Sequence, residues 1–308
     1  MTTWGLCATI RAPRDEILHF AAWHLEAGAH RLYLYLDDDN QAAFEALKPH
    51  PKMRVTLCDG TWWNGDRPET HQSRQVRNAI HAYHQRAETD WLIHIDVDEF
   101  LVSDQPVADI LSSISQQDSV TRIRPMEKLS GPGNAFKAFI PNGPARTRIL
   151  NDLYPTFGLY LNGGFLSHIA GKVFVRTGLP DILPRIHNVF QKGKVLRACE
   201  DQPGIALAHC HAKTWEDWRA AYDYRFEHGS YRASLKPNRR RGKGGLTTHE
   251  VLELITNENG EAGLRAFFDE VSADTPALRD RLTRHGLLRH ANLDLKDTIY
   301  AHFPWISR

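Results

Sequence analysis

The chain has 308 residues, of which 42% are hydrophobic and 24% charged, a balance that suits a globular protein with one large domain or one domain plus an appendage. With 38 basic and 37 acidic side chains the net charge is +1, so no global field points to nucleic acid or to a membrane. The four cysteines, Cys7, Cys58, Cys199 and Cys210, include no C-x-x-C pair, which argues against a disulfide framework or a zinc ribbon and for reduced thiols in a cytoplasmic protein.

Trp4 to Ile10 reads as a first strand. After Pro13 and Asp15, the apolar residues Ile17, Leu18, Ala21, Ala22 and Leu25 recur at helical spacing, and Gly28 supplies a stop. Arg31 to Leu36 is a strand ending in Asp37, Asp38 and Asp39, Gln41 to Lys48 a short helix, and Met53 to Cys58 a third strand. A helix over about Glu69 to Glu88 leads to a fourth strand, Trp91 to Ile95, apolar on both faces as a central parallel strand should be. A helix over Gln105 to Ser115 and a strand near Ser119 to Arg124 follow. This alternation predicts an α/β fold with a mostly parallel sheet flanked by helices.

From about Lys128 to Pro184 the chain is rich in Gly, Pro and Asn, with short strands expected at Arg146 to Leu150 and Lys172 to Arg176. Ile205 to Cys210 reads as a strand and Thr214 to about Glu227 as a helix. KPNRRRGKGG is a basic linker, and the capping-box pair Thr247 and Glu250 opens further helices, so a boundary is expected near residue 236. There is no basic start followed by an apolar core, and no run of about 18 apolar residues, so neither standard export nor a spanning anchor is expected.

The fourth strand empties into Asp96, Val97, Asp98 and Glu99. In an open α/β sheet, ligands bind outside the carboxyl ends of the strands, which is where these acids fall. Two carboxylates about 5 Å apart repel by roughly 3 kcal/mol at an effective dielectric of about 20. A divalent cation offsets that best, and hard oxygen ligands select Mg²⁺, Mn²⁺ or Ca²⁺. The competing reading is an acidic residue that merely caps the next turn.

"DWLIHIDVDEFL" resembles the signature strand and metal loop of the family 2-like glycosyltransferases of the GT-A fold, in the subgroup related to family 92. "DEILHFAAWHLEAGAHRLYLYLDDD" is similar to that family's opening helix and second strand, and "LAHCHAKTWEDW" to its later histidine block. Together these blocks cover about residues 5 to 235 in the family's order. The chain departs from the pattern at Arg11 to Glu16, where Asn-Glu is usual, at His19-Phe20 in place of Glu-Trp, and at Cys210 in place of Tyr.

The resemblance implies a GT-A domain over 1–235, with 1–127 as nucleotide-binding half and 128–235 as acceptor half, and a basic linker with a helical C-terminal extension over 236–308. It implies sugar transfer from a nucleotide-diphosphate donor, a UDP-sugar, to a glycan or glycolipid acceptor, with inversion and with Mn²⁺ or Mg²⁺. The metal would bridge Asp98 to the diphosphate, Asp96 would approach the ribose or the metal through water, and His209 would add a third metal ligand. Asp37 and Asp38 would contact uracil or ribose, with Arg11, Gln75 and Lys172 as further donor-pocket residues. For the catalytic base, Glu99, His187, Glu200 and Asp201 all have a suitable side chain, with Glu200 and Asp201 as pocket-lining acids. The linker residues Arg239, Arg240, Arg241 and Lys243 could meet an anionic membrane face or an anionic glycan, though a charge run is also simply solvated.

Two rivals remain. A haloacid dehalogenase-like phosphohydrolase also begins with an apolar strand and D-x-D, but Phe100 stands where Thr or Val is wanted and "GDRPET" lies upstream of the motif. A non-catalytic carbohydrate-binding protein would use the eight Trp and nine Tyr for sugar stacking.

Overall fold

All seven residues of β1 (Trp4–Ile10) are buried, as a strand covered on both faces must be. The computed structural model describes residues 1–85, 88–197, 201–237, 241–295 and 298–306. Cys199, Glu200, Arg239 and Arg240, together with the side chain of Lys243, lie outside the described residues. Pro13 leads into α1 (Arg14–Glu26), whose first turn carries Asp15 and Glu16 against the positive end of the helix dipole, and Gly28, at φ 91°, lets the chain leave the helix through the left-handed region.

There follow β2 (Arg31–Leu36), α2 (Gln41–Leu47), β3 (Met53–Leu57), α3 (Gly60–Trp63) and α4 (His71–His84). Asn40, Asp59 and Thr70 cap these three helices through side-chain oxygens. Next come β4 (Trp91–His94), β5 (Glu99–Val102), α5 (Val107–Ser112), β6 (Val120–Lys128), β7 (Ala135–Ala138) and α6 (Arg146–Leu153). Then β8 (Lys172–Arg176), β9 (Ile182–Pro184), β10 (Val189–Gln191), β11 (Lys194–Leu196) and β12 (Asp201–His209) precede α7 (Trp215–Ala220) and α8 (Tyr222–Glu227). The last elements are α9 (Thr248–Val271), α10 (Pro276–Arg284), β13 (Leu288–His290) and α11 (Thr298–His302).

The chain divides into two compact units, one of residues 1–124, 170–207 and 293–308, the other of residues 125–169 and 208–292. In the first, the sheet order is β3-β2-β1-β4-β8-β6. Strands β3, β2, β1 and β4 are parallel, with Ala8 opposite Leu34 and Leu6 opposite Ile93. β8 runs against both β4 and β6, so β6 points the same way as β4 and one strand of the six is reversed. This is the expected α/β, Rossmann-like, mostly parallel sheet with helices against it. Under one face Tyr33, Tyr35, Trp63, Leu92, Val173 and Val175 form a buried cluster. The chain's last residues belong to this unit: Phe303 is fully buried, and Trp305 donates its indole N–H to Ala46 O at 2.7 Å.

In the second unit β7 pairs antiparallel with the end of β6 and with β13. Its core joins Trp218, Tyr231, Leu252, Phe267, Phe268 and Leu282. Thr247 and Glu250 make the expected capping box at the start of α9. The boundary expected near residue 236 falls inside this unit, because Val251, Leu252, Ile255, Leu264 and Phe268 of α9 bury into that core instead of forming an appendage. The strand expected at Arg146 to Leu150 is instead the helix α6, whose buried residues Leu150 and Leu153 lie one helical turn apart. Among the described residues no helix is long and apolar enough to cross a membrane.

Candidate active site

The sheet order turns around at β1, with β2 on one side and β4 on the other, and in open α/β sheets ligands bind outside the carboxyl ends of the strands at such a switch point. Asp37 donates its backbone N–H to Ile10 O at 2.7 Å, and Ile95 donates to Cys7 O at 3.1 Å, so the acidic tips of β2 and β4 leave the sheet beside the end of β1.

The turn after β4 closes on itself. Asp96 N–H donates to Glu99 Oε2 at 2.8 Å, and Glu99 N–H donates back to Asp96 O at 3.0 Å. Glu99 is fully buried, and its charge is met by the equally buried Lys172, whose Nζ lies 3.1 Å from Glu99 Oε2 and donates to Asp96 Oδ2 at 2.6 Å. Gln75 donates from Nε2 to Asp96 Oδ1. Three expected donor-pocket residues, Gln75, Asp96 and Lys172, are thus brought into one hydrogen-bonded cluster braced by Glu99. Gly171, just before β8, lies in the left-handed region, and a Cβ there would overlap Ile123 O.

Burial opposes ionisation of Asp96, but the Lys172 ammonium outweighs it and holds that carboxyl well below the usual range. Reciprocally, burial would neutralise Lys172, and Asp96 and Glu99 together hold its ammonium above the ordinary lysine range. One cation therefore serves two of the three acids. Asp98, the third, is half-buried inside the turn.

Asp37 is spoken for by protein. Its side chain has no exposure and accepts from Arg74 Nε at 2.8 Å and Arg67 at 3.1 Å, with His71 Nδ1 3.4 Å away. Burial pushes this carboxyl up, and the hydrogen bonds from His71, Arg74 and Arg67 outweigh it, leaving it at about 2. Asp38 differs: burial raises it against the opposing charge of Arg11, and its Oδ1 is buried with no hydrogen-bond partner among the described residues. Arg11 itself is exposed just beyond β1. His71 and Arg74, one helical turn apart in "THQSR", carry a spacing that sequence reasoning overlooked; Arg67 carries none.

His94 sits two residues before Asp96 on β4, buried, with neither ring nitrogen bonded to a described residue. Burial, then the charge of Lys172, pushes it down to about 3, and burial does the same to His24, whose Nε2 accepts from Leu101 N–H at 3.3 Å. Below pH 6.5 the unfolded chain protonates both rings while the folded chain does not. Stability is therefore expected to fall as pH drops through 6.5 toward about 3, by about 1.4 kcal/mol per pH unit for each ring. Urea unfolding at pH 7 and pH 5 reads this slope. His24→Gln should reduce it, and equal stability at the two pH values would contradict it.

His187 lies on the segment between β9 and β10, with Nδ1 2.9 Å from Gly171 O and its own carbonyl held by Arg122 at 2.9 Å. Asp201 begins β12, exposed and paired with Arg124 Nε at 2.7 Å, and lines a cleft with Asp118 and Thr121 that does not include the acidic turn. Arg241 pairs with Glu250 at 2.6 Å.

In the second unit, His209 and His211 are buried near the end of β12, their ring centroids 5.3 Å apart, and His168 is 5.6 Å from His209. The loop before His168 is held by the buried Glu127, which accepts from Leu166 N–H at 3.0 Å and Ser167 N–H at 2.8 Å and pairs with the buried Lys137 at 3.1 Å. His211 Nε2 lies 3.0 Å from Tyr231 Oη. Among the described residues, the acidic and histidine groups that could hold a metal ion are Asp98 and Glu99 in the first unit and His168, His209 and His211 in the second. Carboxylate oxygen and imidazole nitrogen are each donors that suit a divalent ion.

No protein-family model matches the chain, and no curated protein does. Among solved structures it is similar to one described as a mycobacterial protein, at 12% identity and a TM-score of 0.31, over 57% of this chain and 53% of that one. It is also similar to HddC from Yersinia pseudotuberculosis, at 10% identity and a TM-score of 0.35, over 73% of this chain and 99% of that one. The chain thus spans about half the length of the first, at 53%.

Proposed function

We propose that the chain is a metal-dependent glycosyltransferase that moves a sugar from a nucleotide-diphosphate donor, a UDP-sugar, to a glycan or glycolipid acceptor. The observation that carries this reading is the closed turn Asp96–Glu99 at the carboxyl end of β4, in which Lys172 meets both Asp96 and Glu99 and in which Asp98 is one of the acids that could hold a metal ion. When bound at Asp98, Mn²⁺ or Mg²⁺ supplies positive charge to the diphosphate that departs as the glycosidic bond breaks.

The chain's own residues do the rest. Gln75 and Lys172 fix Asp96 and hence the backbone of the turn. The buried, unpartnered Oδ1 of Asp38 suits a ribose hydroxyl, which donates to it. Asp37 aims Arg67 and Arg74 and makes no direct contact with the nucleotide. His187, donating Nδ1–H to Gly171 O, has its lone pair on Nε2 and takes the acceptor's hydroxyl proton.

Thermal shift tests the reading. UDP raises the melting temperature only with Mn²⁺ present, and Asp98→Ala abolishes the rise. Equal stabilisation of the variant by UDP would count against it, and phosphate release from a generic phosphoester without nucleotide preference would favour a hydrolase.

A further inference from the structure

Between α4 and the segment joining β9 to β10 lies a cleft of about 670 Å³, inside the first unit and lined in part by His187. That volume is in the range of roughly 300–1,000 Å³ typical of small-molecule sites and exceeds what a lone inorganic anion fills.

Its charged lining has one sign. Arg77 and Arg185 contribute guanidinium groups, and among the described residues no carboxylate lines the cleft. Arg185 is exposed and stacks over the Phe190 ring at 4.9 Å. Arg77 is exposed and pairs with the exposed Asp66 at 2.9 Å, a pair worth at most about 1 kcal/mol, while it also donates to Asp66 O and lies 5.7 Å from the Trp63 ring centroid, contacts that hold its guanidinium at the cleft. Asn188 Oδ1 accepts from Arg122 Nη2 at 2.9 Å, which fixes which end of the amide is the NH₂, a group with two N–H donors. Gln72 and Ser73 add polar groups from the first turn of the 14-residue α4, where the helix dipole favours negative charge. Phe190 and Ile186 supply an apolar wall.

Fixed donors, two cations and an aromatic face fit a sugar ring that bears an anionic group. We propose that this cleft binds an anionic sugar, carrying either a carboxylate or a phosphate, and that the acceptor of the transfer belongs to this class. The word acceptor rests on the transferase reading above; binding in the cleft does not. An acceptor seated there places its hydroxyls along the wall that His187 forms, and Arg185 and Arg77 hold its charge by paired, charge-assisted hydrogen bonds.

The test is calorimetric titration of the full chain in EDTA with glucuronate, glucose 6-phosphate, glucose and inorganic phosphate. At least one of the two anionic sugars binds about tenfold or more tightly than both glucose and inorganic phosphate, and which one identifies the anionic group. Arg185→Gln and Arg77→Gln each weaken that sugar by about tenfold, the loss of a charge-assisted contact. Asp98→Ala leaves sugar binding unchanged, and Arg185→Gln leaves the UDP and Mn²⁺ thermal shift unchanged. Absence of binding, equal binding of glucose or inorganic phosphate, or indifference to both arginine variants overturns the proposal. Anionic-sugar binding that needs Arg185 in a protein with no UDP and Mn²⁺ shift keeps the cleft and removes the transferase.

Discussion

Lys172→Met is expected to lower the free energy of unfolding by about 3–5 kcal/mol at pH 7, the usual result of removing one partner of a buried ion pair. Lys172 is the ammonium that faces both Asp96 and Glu99, and Glu99 has no exposure through which water could replace it. Without it, two carboxylates about 4 Å apart repel by roughly 4 kcal/mol at an effective dielectric of about 20. One of them will then keep a proton in the folded state at a pH where the unfolded chain has lost it. A carboxyl raised in this way stabilises the fold below its unfolded value and loses that contribution as pH rises through the folded one. The deficit of the variant relative to wild type should therefore shrink between pH 7 and pH 5 in urea titrations. Lys172→Met with Glu99→Gln should recover part of the loss at pH 7. A single variant as stable as wild type would show that the turn does not depend on this ammonium.

The second large effect is on turnover. His187→Gln should reduce sugar transfer by about 10²-fold while leaving the UDP and Mn²⁺ thermal shift intact. General bases contribute about 10² to 10⁴, most when their pKa matches the working pH. Burial, and then the charge of Lys172, pushes His187 down to about 4, so the ring is unprotonated at neutral pH but a modest base, which places the loss at the low end. Measured transfer from a UDP-sugar by the variant at wild-type rate would remove the proton-transfer role and return attention to Asp201 and Glu200.

Much of the scaffold could be read from local signals. β1, β2 and β8 have the expected bounds because their burial on both faces shows as continuous apolar runs, and α1 begins and ends at Pro13 and Gly28, whose backbone preferences are intrinsic. What escaped depends on partners distant in sequence. β7 contains Lys137, a residue no strand pattern would bury, and it is buried because Glu127 on β6 and Val271 O meet its ammonium. α6 was mistaken for a strand since Ile149 and Leu150 are adjacent and its helical turn is completed only by Leu153. The three-stranded β9-β10-β11 sheet was missed because its strands are three residues each, too short for any period to register.

The site was legible in kind and not in detail. Gln75, Asp96 and Lys172 were expected near one another from the family pattern, and the structure places them in hydrogen-bonding contact. That Lys172 would be shared with Glu99, or that Asp37 would be saturated by Arg67, Arg74 and His71, is a matter of long-range packing with no sequence spacing to betray it. The reason for three acids at the end of a buried strand is a division of labour. Glu99 closes the turn, Asp96 is neutralised by Lys172, and in the proposed function Asp98 holds the cation.

The most direct measurement is a crystal of the full chain soaked with UDP and MnCl₂, with anomalous scattering recorded to locate manganese. The account predicts a manganese peak about 2.0–2.6 Å from an Asp98 carboxylate oxygen and from an oxygen of the diphosphate, with the Lys172–Asp96 contact intact. A nucleotide bound with Asp98 turned toward backbone amides and no manganese peak beside it would contradict the account.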